Sequence, residues 1–320
     1  MNYTKNSILE STKEKIEGER LNWKLMCRPN ALIACYSAKK HDINWRKKPT
    51  RQFIWPGRLS TNARRKLKQS IRWLIACSST KQVFEKRYNK KIPWKINMAT
   101  LTFKENLQDD NQGRKLLSQW LEMAKYRFEL KQYVWKAEPQ QRGAIHFHLM
   151  TNVYIPHAEL NYTWNRLLRK NKLNNIDDNS TDIHAVTEAK NLEAYLTDYM
   201  LNDEKHAGRR PIQGRLWGCS HGISQAGKKF LLISKKELQA ISEDLQQYSL
   251  AAKIRAEGKE PPEFLKFTGY WILPETYYKQ LPECELKQQY FEEITTLRQK
   301  QQKELFPLLT SNVSCASDVT

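Results

Sequence analysis

"KAEPQQRGAIHFHLM", residues 136–150, is the stretch on which the fold turns. In "AIHFHLM" apolar residues alternate with two histidines. On a strand, Ile145, Phe147 and Leu149 share one face, and His146 and His148 share the other. The preceding "YVWKAE" (133–138) reads as a second strand, so the residues between form a hairpin turn. A three-residue loop, Gln141-Arg142-Gly143, needs its last residue in the left-handed region, which glycine supplies. Gln140 then pairs with Ala144, Glu138 faces His146 and Lys136 faces His148. A slip of one residue would turn Glu138 to the opposite face.

Two imidazoles and a carboxylate with open positions make a donor set for a divalent cation. The set suits Mn²⁺ well, accepts Zn²⁺, Co²⁺ or Ni²⁺, and suits Mg²⁺ poorly as an inner shell. A cation so held polarises a phosphate oxygen. A bare His-x-His is more often packed and hydrogen-bonded locally. Glu138 across the turn tips the balance toward a metal on Glu138, His146 and His148. Lys136 is expected either to meet a phosphate near the metal or to sit at the surface. His157 and His184 are expected to be structural, and His221 is unassigned.

Strands are predicted at 96–103, 133–138, 144–155, 181–186 and 214–220, and helices at 111–130, 157–173 and 191–201. The order β-α-β-β-α-β-α-β predicts an α+β fold: an antiparallel sheet flanked by helices, near the ferredoxin-like class. This core is expected over 93–221. Residues 1–92 form a basic, aromatic-rich region expected to be helical, with Leu67, Ile71, Leu74 and Ile75 as the apolar stripe of one helix. Residues 222–307 are expected to be helical, with a long helix over 234–258 opened by a Ser234/Glu237 capping box. Residues 308–320 are expected to be disordered.

The chain has 320 residues, 54 Lys+Arg against 34 Asp+Glu, and a formal net charge of +20. Such a charge points to polyanions, nucleic acid first. The six cysteines form no Cys-x-x-Cys pair, which argues against a cysteine zinc site and for a reducing compartment, the cytoplasm. The first twenty residues are too polar for a signal peptide, and no apolar run reaches membrane length. No phosphate-loop motif occurs.

"AYLTDYM" (194–200) places Tyr195 and Tyr199 four apart on a predicted helix, hence on one face. Tyrosine is an uncommon nucleophile, suited to a phosphate ester that must persist and later be reversed. Taken alone, such a pair is more often packing than catalysis.

Together these motifs resemble those of HUH endonucleases. "IHFHLM" resembles their histidine–hydrophobic–histidine motif, and "YLTDYM" the tyrosine motif of rolling-circle replication initiators of phages and plasmids. "NMATLTF" and "GRLWGCS" are similar to flanking strands of that family. The resemblance covers roughly residues 94–220. It implies an enzyme, a site-specific endonuclease and strand transferase, that nicks single-stranded or hairpin origin DNA through a phosphotyrosine. It implies Tyr195 and Tyr199 as catalytic residues, and Mn²⁺ or Mg²⁺ on His146, His148 and Glu138. It also implies a separate helicase and host DNA polymerase as partners, no membrane, and a bacterial host cytoplasm. Tyrosines placed after the histidines suit replication initiators and some single-strand transposases; relaxases carry them before. The family often has lysine three residues after each tyrosine, where this chain has Asp198 and Asn202. That departure leaves the order of the two tyrosines open. A single-strand transposase and a non-catalytic nucleic-acid-binding protein are the alternatives.

Overall fold

The computed structural model describes residues 23–29, 31–36, 57–85, 89–173, 180–186, 192–202, 208–245, 257–258, 270–272, 278–279 and 283–298. In chain order the elements begin with β1 (Trp23–Arg28), β2 (Ala31–Tyr36), α1 (Thr61–Cys77), β3 (Lys81–Glu85), β4 (Lys90–Trp94) and β5 (Ile96–Leu101). There follow α2 (Asp110–Arg127), β6 (Tyr133–Pro139), β7 (Ile145–Thr151), α3 (His157–Lys170), β8 (Thr181–Val186) and α4 (Leu192–Leu201). The last are β9 (Trp217–Cys219), α5 (His221–Gln225), β10 (Leu231–Ile233), α6 (Lys235–Leu245), β11 (Tyr270–Ile272) and α7 (Glu285–Arg298).

The chain divides into two compact units. One holds the described residues among 57–59, 78–220 and 296–320; the other holds those among 1–56, 60–77 and 221–295.

The first unit is built on a five-stranded sheet ordered β8-β5-β7-β6-β9, every neighbour antiparallel. Its strands and helices follow the predicted order. The histidine strand β7 is the central strand and is buried along its whole length. Phe147 packs edge-on against Phe103 and Trp135, with ring centroids 6.4 and 6.0 Å apart, and Trp164 closes on Phe103 at 5.3 Å. The two indoles that could orphan a donor there do not. Trp120 donates to Thr163 Oγ1 at 3.1 Å, and Trp164 donates to the Thr102 carbonyl at 2.8 Å. α2 starts because the Asp109 carboxylate accepts from the Asn111 and Gln112 amides. It then comes so close to β7 that a Cβ on Gly113 would lie 2.7 Å from Ile145 Cγ2.

The second unit has its own antiparallel sheet, β10-β1-β2-β11. The flanking regions were expected to be helical. They do contain α1, α6 and α7, but strands from both flanks pair into this sheet. Short apolar runs such as "ALIACY" carry no periodicity that separates strand from helix, so sequence pattern alone does not reveal them. On α1, Leu67, Ile71 and Leu74 are buried as predicted, Ile75 is half-buried, and Trp73 joins the core. Tyr278 stacks on Tyr290 at 4.1 Å and donates to the Ala31 carbonyl. The capping box of α6 forms: the Ser234 amide donates to Glu237 Oε2 at 2.6 Å, and the Glu237 amide donates to Ser234 Oγ at 3.2 Å. Residues 246–256 of the predicted long helix, and the tail over 308–320, lie outside the described residues.

Cys27, Cys35, Cys77, Cys219 and Cys284 are free thiols. Among the described residues no helix is long and apolar enough to cross a membrane.

Candidate metal centre and tyrosine helix

The turn behaves as its chemistry requires. Gly143 sits at φ +93°, and the Gln140 amide donates to the Ala144 carbonyl at 2.8 Å. The register of β6 on β7 follows, with Glu138 opposite His146 and Lys136 opposite His148. On the other side of β7, Thr100 of β5 stands opposite His148.

Glu138, His146 and His148 are all buried and converge. The two histidine Nε2 atoms are 2.9 Å apart, and Glu138 Oε2 lies 3.1 Å from His148 Nε2 and 3.9 Å from His146 Nε2. Metal bonds of about 2.1 Å at near-right angles separate neighbouring donors by roughly 3 Å, so two of these spacings already suit one cation. The third is wider and leaves an open side. A neutral imidazole that gives Nε2 to a metal carries its proton on Nδ1, which then needs an acceptor. For His148 that acceptor is present twice: the Tyr199 hydroxyl at 3.1 Å and Thr100 Oγ1 at 3.3 Å from Nδ1. The donor set and its support therefore fit a divalent cation. When bound, such a cation polarises a phosphoryl oxygen.

Lys136 corrects the sequence expectation, because it is neither at the surface nor open to a phosphate. β6 lies between β7 and β9, so Lys136 is 2% exposed and places Nζ 2.7 Å from Glu138 Oε1. The strand alternation that put Glu138 inside puts Lys136, two residues earlier, on the same face. That spacing was the available signal for the pair. Burial alone would push the Glu138 carboxyl up. The hydrogen bond from His148 and the charge of Lys136 outweigh it, and hold the group well below the usual carboxylate range.

α4 brings both tyrosines to one face, with ring centroids 6.5 Å apart. Tyr199 is half-buried and meets the His148 ring edge-on at 5.0 Å; Tyr195, one turn earlier, is 43% exposed. Burial, helped by the charges of Glu138, Tyr195 and Asp182, pushes the Tyr199 phenol up to about 12. It is therefore protonated at neutral pH. Asp198 is exposed, as a solvated helix position should be, and Lys205 lies outside the described residues. His157 hydrogen-bonds the Thr181 carbonyl at 3.3 Å, and exposed His184 stands 3.6 Å from Asp182. His221 begins α5.

Residues 96–204 match the family model of the replication-associated protein ORF2. The match runs from β5 to just beyond α4, so it contains Glu138, both histidines and both tyrosines. It joins the metal-ready triad to DNA replication and is consistent with a rolling-circle initiator. No curated protein and no solved structure matches the chain.

Proposed function

We propose that the protein initiates rolling-circle replication as a metal-dependent, HUH-type endonuclease and strand transferase acting on single-stranded or hairpin origin DNA. The observation that carries this reading is the Tyr199 hydroxyl on His148, within a replication-family segment whose only candidate metal group among the described residues includes that histidine. A cation of the Mn²⁺ or Mg²⁺ kind would be held by Glu138, His146 and His148. One tyrosine oxygen attacks the scissile phosphorus. The new O–P bond replaces the bond to the 3′ oxygen, which leaves as a hydroxyl after taking a proton. The 5′ phosphate stays on tyrosine, and the free 3′ hydroxyl primes synthesis. The second tyrosine repeats the step on the displaced strand, so that the first ester can be closed by a 3′ hydroxyl. A separate helicase and the host DNA polymerase are the expected partners, in a bacterial host cytoplasm. The segment over 93–221 carries the chemistry, and the flanks hold DNA.

The test uses labelled single-stranded oligonucleotides that tile the replicon encoding this chain, with Mn²⁺, a denaturing gel and peptide mapping of the adduct. Wild type should yield a covalent adduct at Tyr195 or Tyr199. The double variant Tyr195→Phe/Tyr199→Phe should yield none while still binding DNA, and a chelator should stop cleavage. Adducts that survive the double variant would overturn the tyrosine assignment. Binding without cleavage under every divalent metal would favour a non-catalytic binding protein, and cleavage confined to mobile-element ends would favour a transposase.

A further inference from the structure

At the turn end of the β6–β7 hairpin a pocket of about 660 Å³ opens that the nicking chemistry leaves unused. Its walls are three arginines, Arg142, Arg209 and Arg210, two amides, Gln108 and Gln141, and the backbone of two glycines. No carboxylate and no apolar side chain lines it.

The guanidiniums are held in place. Arg210 grips buried Asp110 with two nitrogens, at 2.7 and 3.0 Å, and donates to the Gly143 carbonyl. Arg209 donates to the Pro139 carbonyl at 2.9 Å. Arg142 donates to Gln140 Oε1 at 3.0 Å and to the carbonyls of Phe103 and Lys104. These partners of Arg142 are all neutral oxygens. They use three of the five N–H donors of its guanidinium, so its charge and two donors remain for a ligand. An anion that enters meets a planar fork already ordered, so little side-chain entropy is lost on binding.

The pocket also lies along the strands that carry the metal donors. Pro139, whose carbonyl holds Arg209, directly follows Glu138, and Gly143 precedes His146 by three residues. At about 3.3 Å per strand residue, the pocket is roughly 10 Å from the donor set. A strand of DNA that is cut at the triad covers that distance within a few nucleotides.

We propose that this arginine pocket binds a phosphodiester of the same single DNA strand, a few nucleotides from the one cleaved. The ligand class rests on the proposed function; the site rests on the pocket. Bidentate guanidinium contacts would fix the register of the strand without reading its bases.

The experiment measures binding of a fluorescein-labelled single-stranded oligonucleotide to the full chain without metal, by anisotropy across a salt series. The duplex of the same sequence is measured in parallel. Arg142→Gln and Arg209→Gln should each weaken single-strand binding several-fold, and each should flatten the slope of log K against log salt by about 0.7. Mn²⁺ affinity should stay at the wild-type value. Arg142 also ties down two carbonyls, so Arg209→Gln serves if Arg142→Gln folds poorly. Unchanged affinity and slope in a folded variant would overturn the pocket. An equal loss on duplex would overturn the single-strand assignment. Because the readout needs no cleavage, a failure of the tyrosine chemistry leaves this result interpretable.

Discussion

Lys136 is the residue whose removal should cost the fold most for a single change near the site. A lone ionised carboxylate at 5% exposure is expensive, and Lys136 at 2.7 Å offsets it. In Lys136→Met, Glu138 keeps its hydrogen bond from His148 but loses the adjacent cation. Breaking a buried pair in this way costs about 3 kcal/mol at neutral pH, the low end of the usual range, because Glu138 can escape by taking a proton. The sign with pH follows. In wild type the folded carboxyl is held low, so its contribution is present above the ordinary value of 4.5 and is lost as pH falls through the lowered one. In Lys136→Met the folded carboxyl is raised, so its penalty grows as pH rises above that ordinary value. The stability gap between the two proteins should therefore narrow as pH falls from neutral toward 5, and Mn²⁺ should also narrow it by restoring positive charge. Urea unfolding at several pH values, with and without Mn²⁺, checks both. A gap independent of pH and metal would show that lost packing, not charge, sets the cost.

At the scale of elements, the approach of α2 to β7 holds the histidine strand against its core. The Gly113 Cα points at Ile145, and an added methyl would meet Cγ2 at 2.7 Å and Phe147 Cζ at 3.7 Å. Gly113→Ala gains helix propensity but must push apart two elements that are both buried there. Overpacking of this kind costs about 1–3 kcal/mol, against roughly 1 kcal/mol of propensity gained, so a net loss is expected in thermal unfolding. A gain would mean that α2 can shift freely. The hairpin itself was legible because its turn is local: Gly143 and the alternation on either side settle the register within fifteen residues. So was the α6 capping box, whose partners are three residues apart. The arginine pocket was not, because Arg210 finds Asp110 a hundred residues away, and only the folded chain brings them together. The second sheet was hidden for the same reason: β1 pairs with β10, and β2 with β11, from opposite flanks of the nicking segment.

For the whole molecule, the excess of 54 basic over 34 acidic residues needs a place to act, and the metal centre is not it. Buried Lys136 there is already matched by Glu138. α1 is a better candidate: between Thr61 and Cys77 it carries Arg64, Arg65, Lys66, Lys68 and Arg72 and no acidic residue. Its apolar stripe is buried, whereas Arg65 and Lys66 are exposed. Cations on such a face gain affinity for a phosphate backbone by releasing condensed counterions, and each contact to duplex adds about 0.9 to the slope of log K against log salt. Replacing Arg65 and Lys66 together with glutamine should therefore flatten that slope for duplex DNA by about 1–2. Both side chains are at the surface, so the change in unfolding free energy should stay within about 0.5 kcal/mol, and Mn²⁺ affinity should not move. Salt-series anisotropy with a labelled duplex makes the measurement. An unchanged slope would leave α1 as a solvated face, and the net charge would then have to act from elsewhere in the chain.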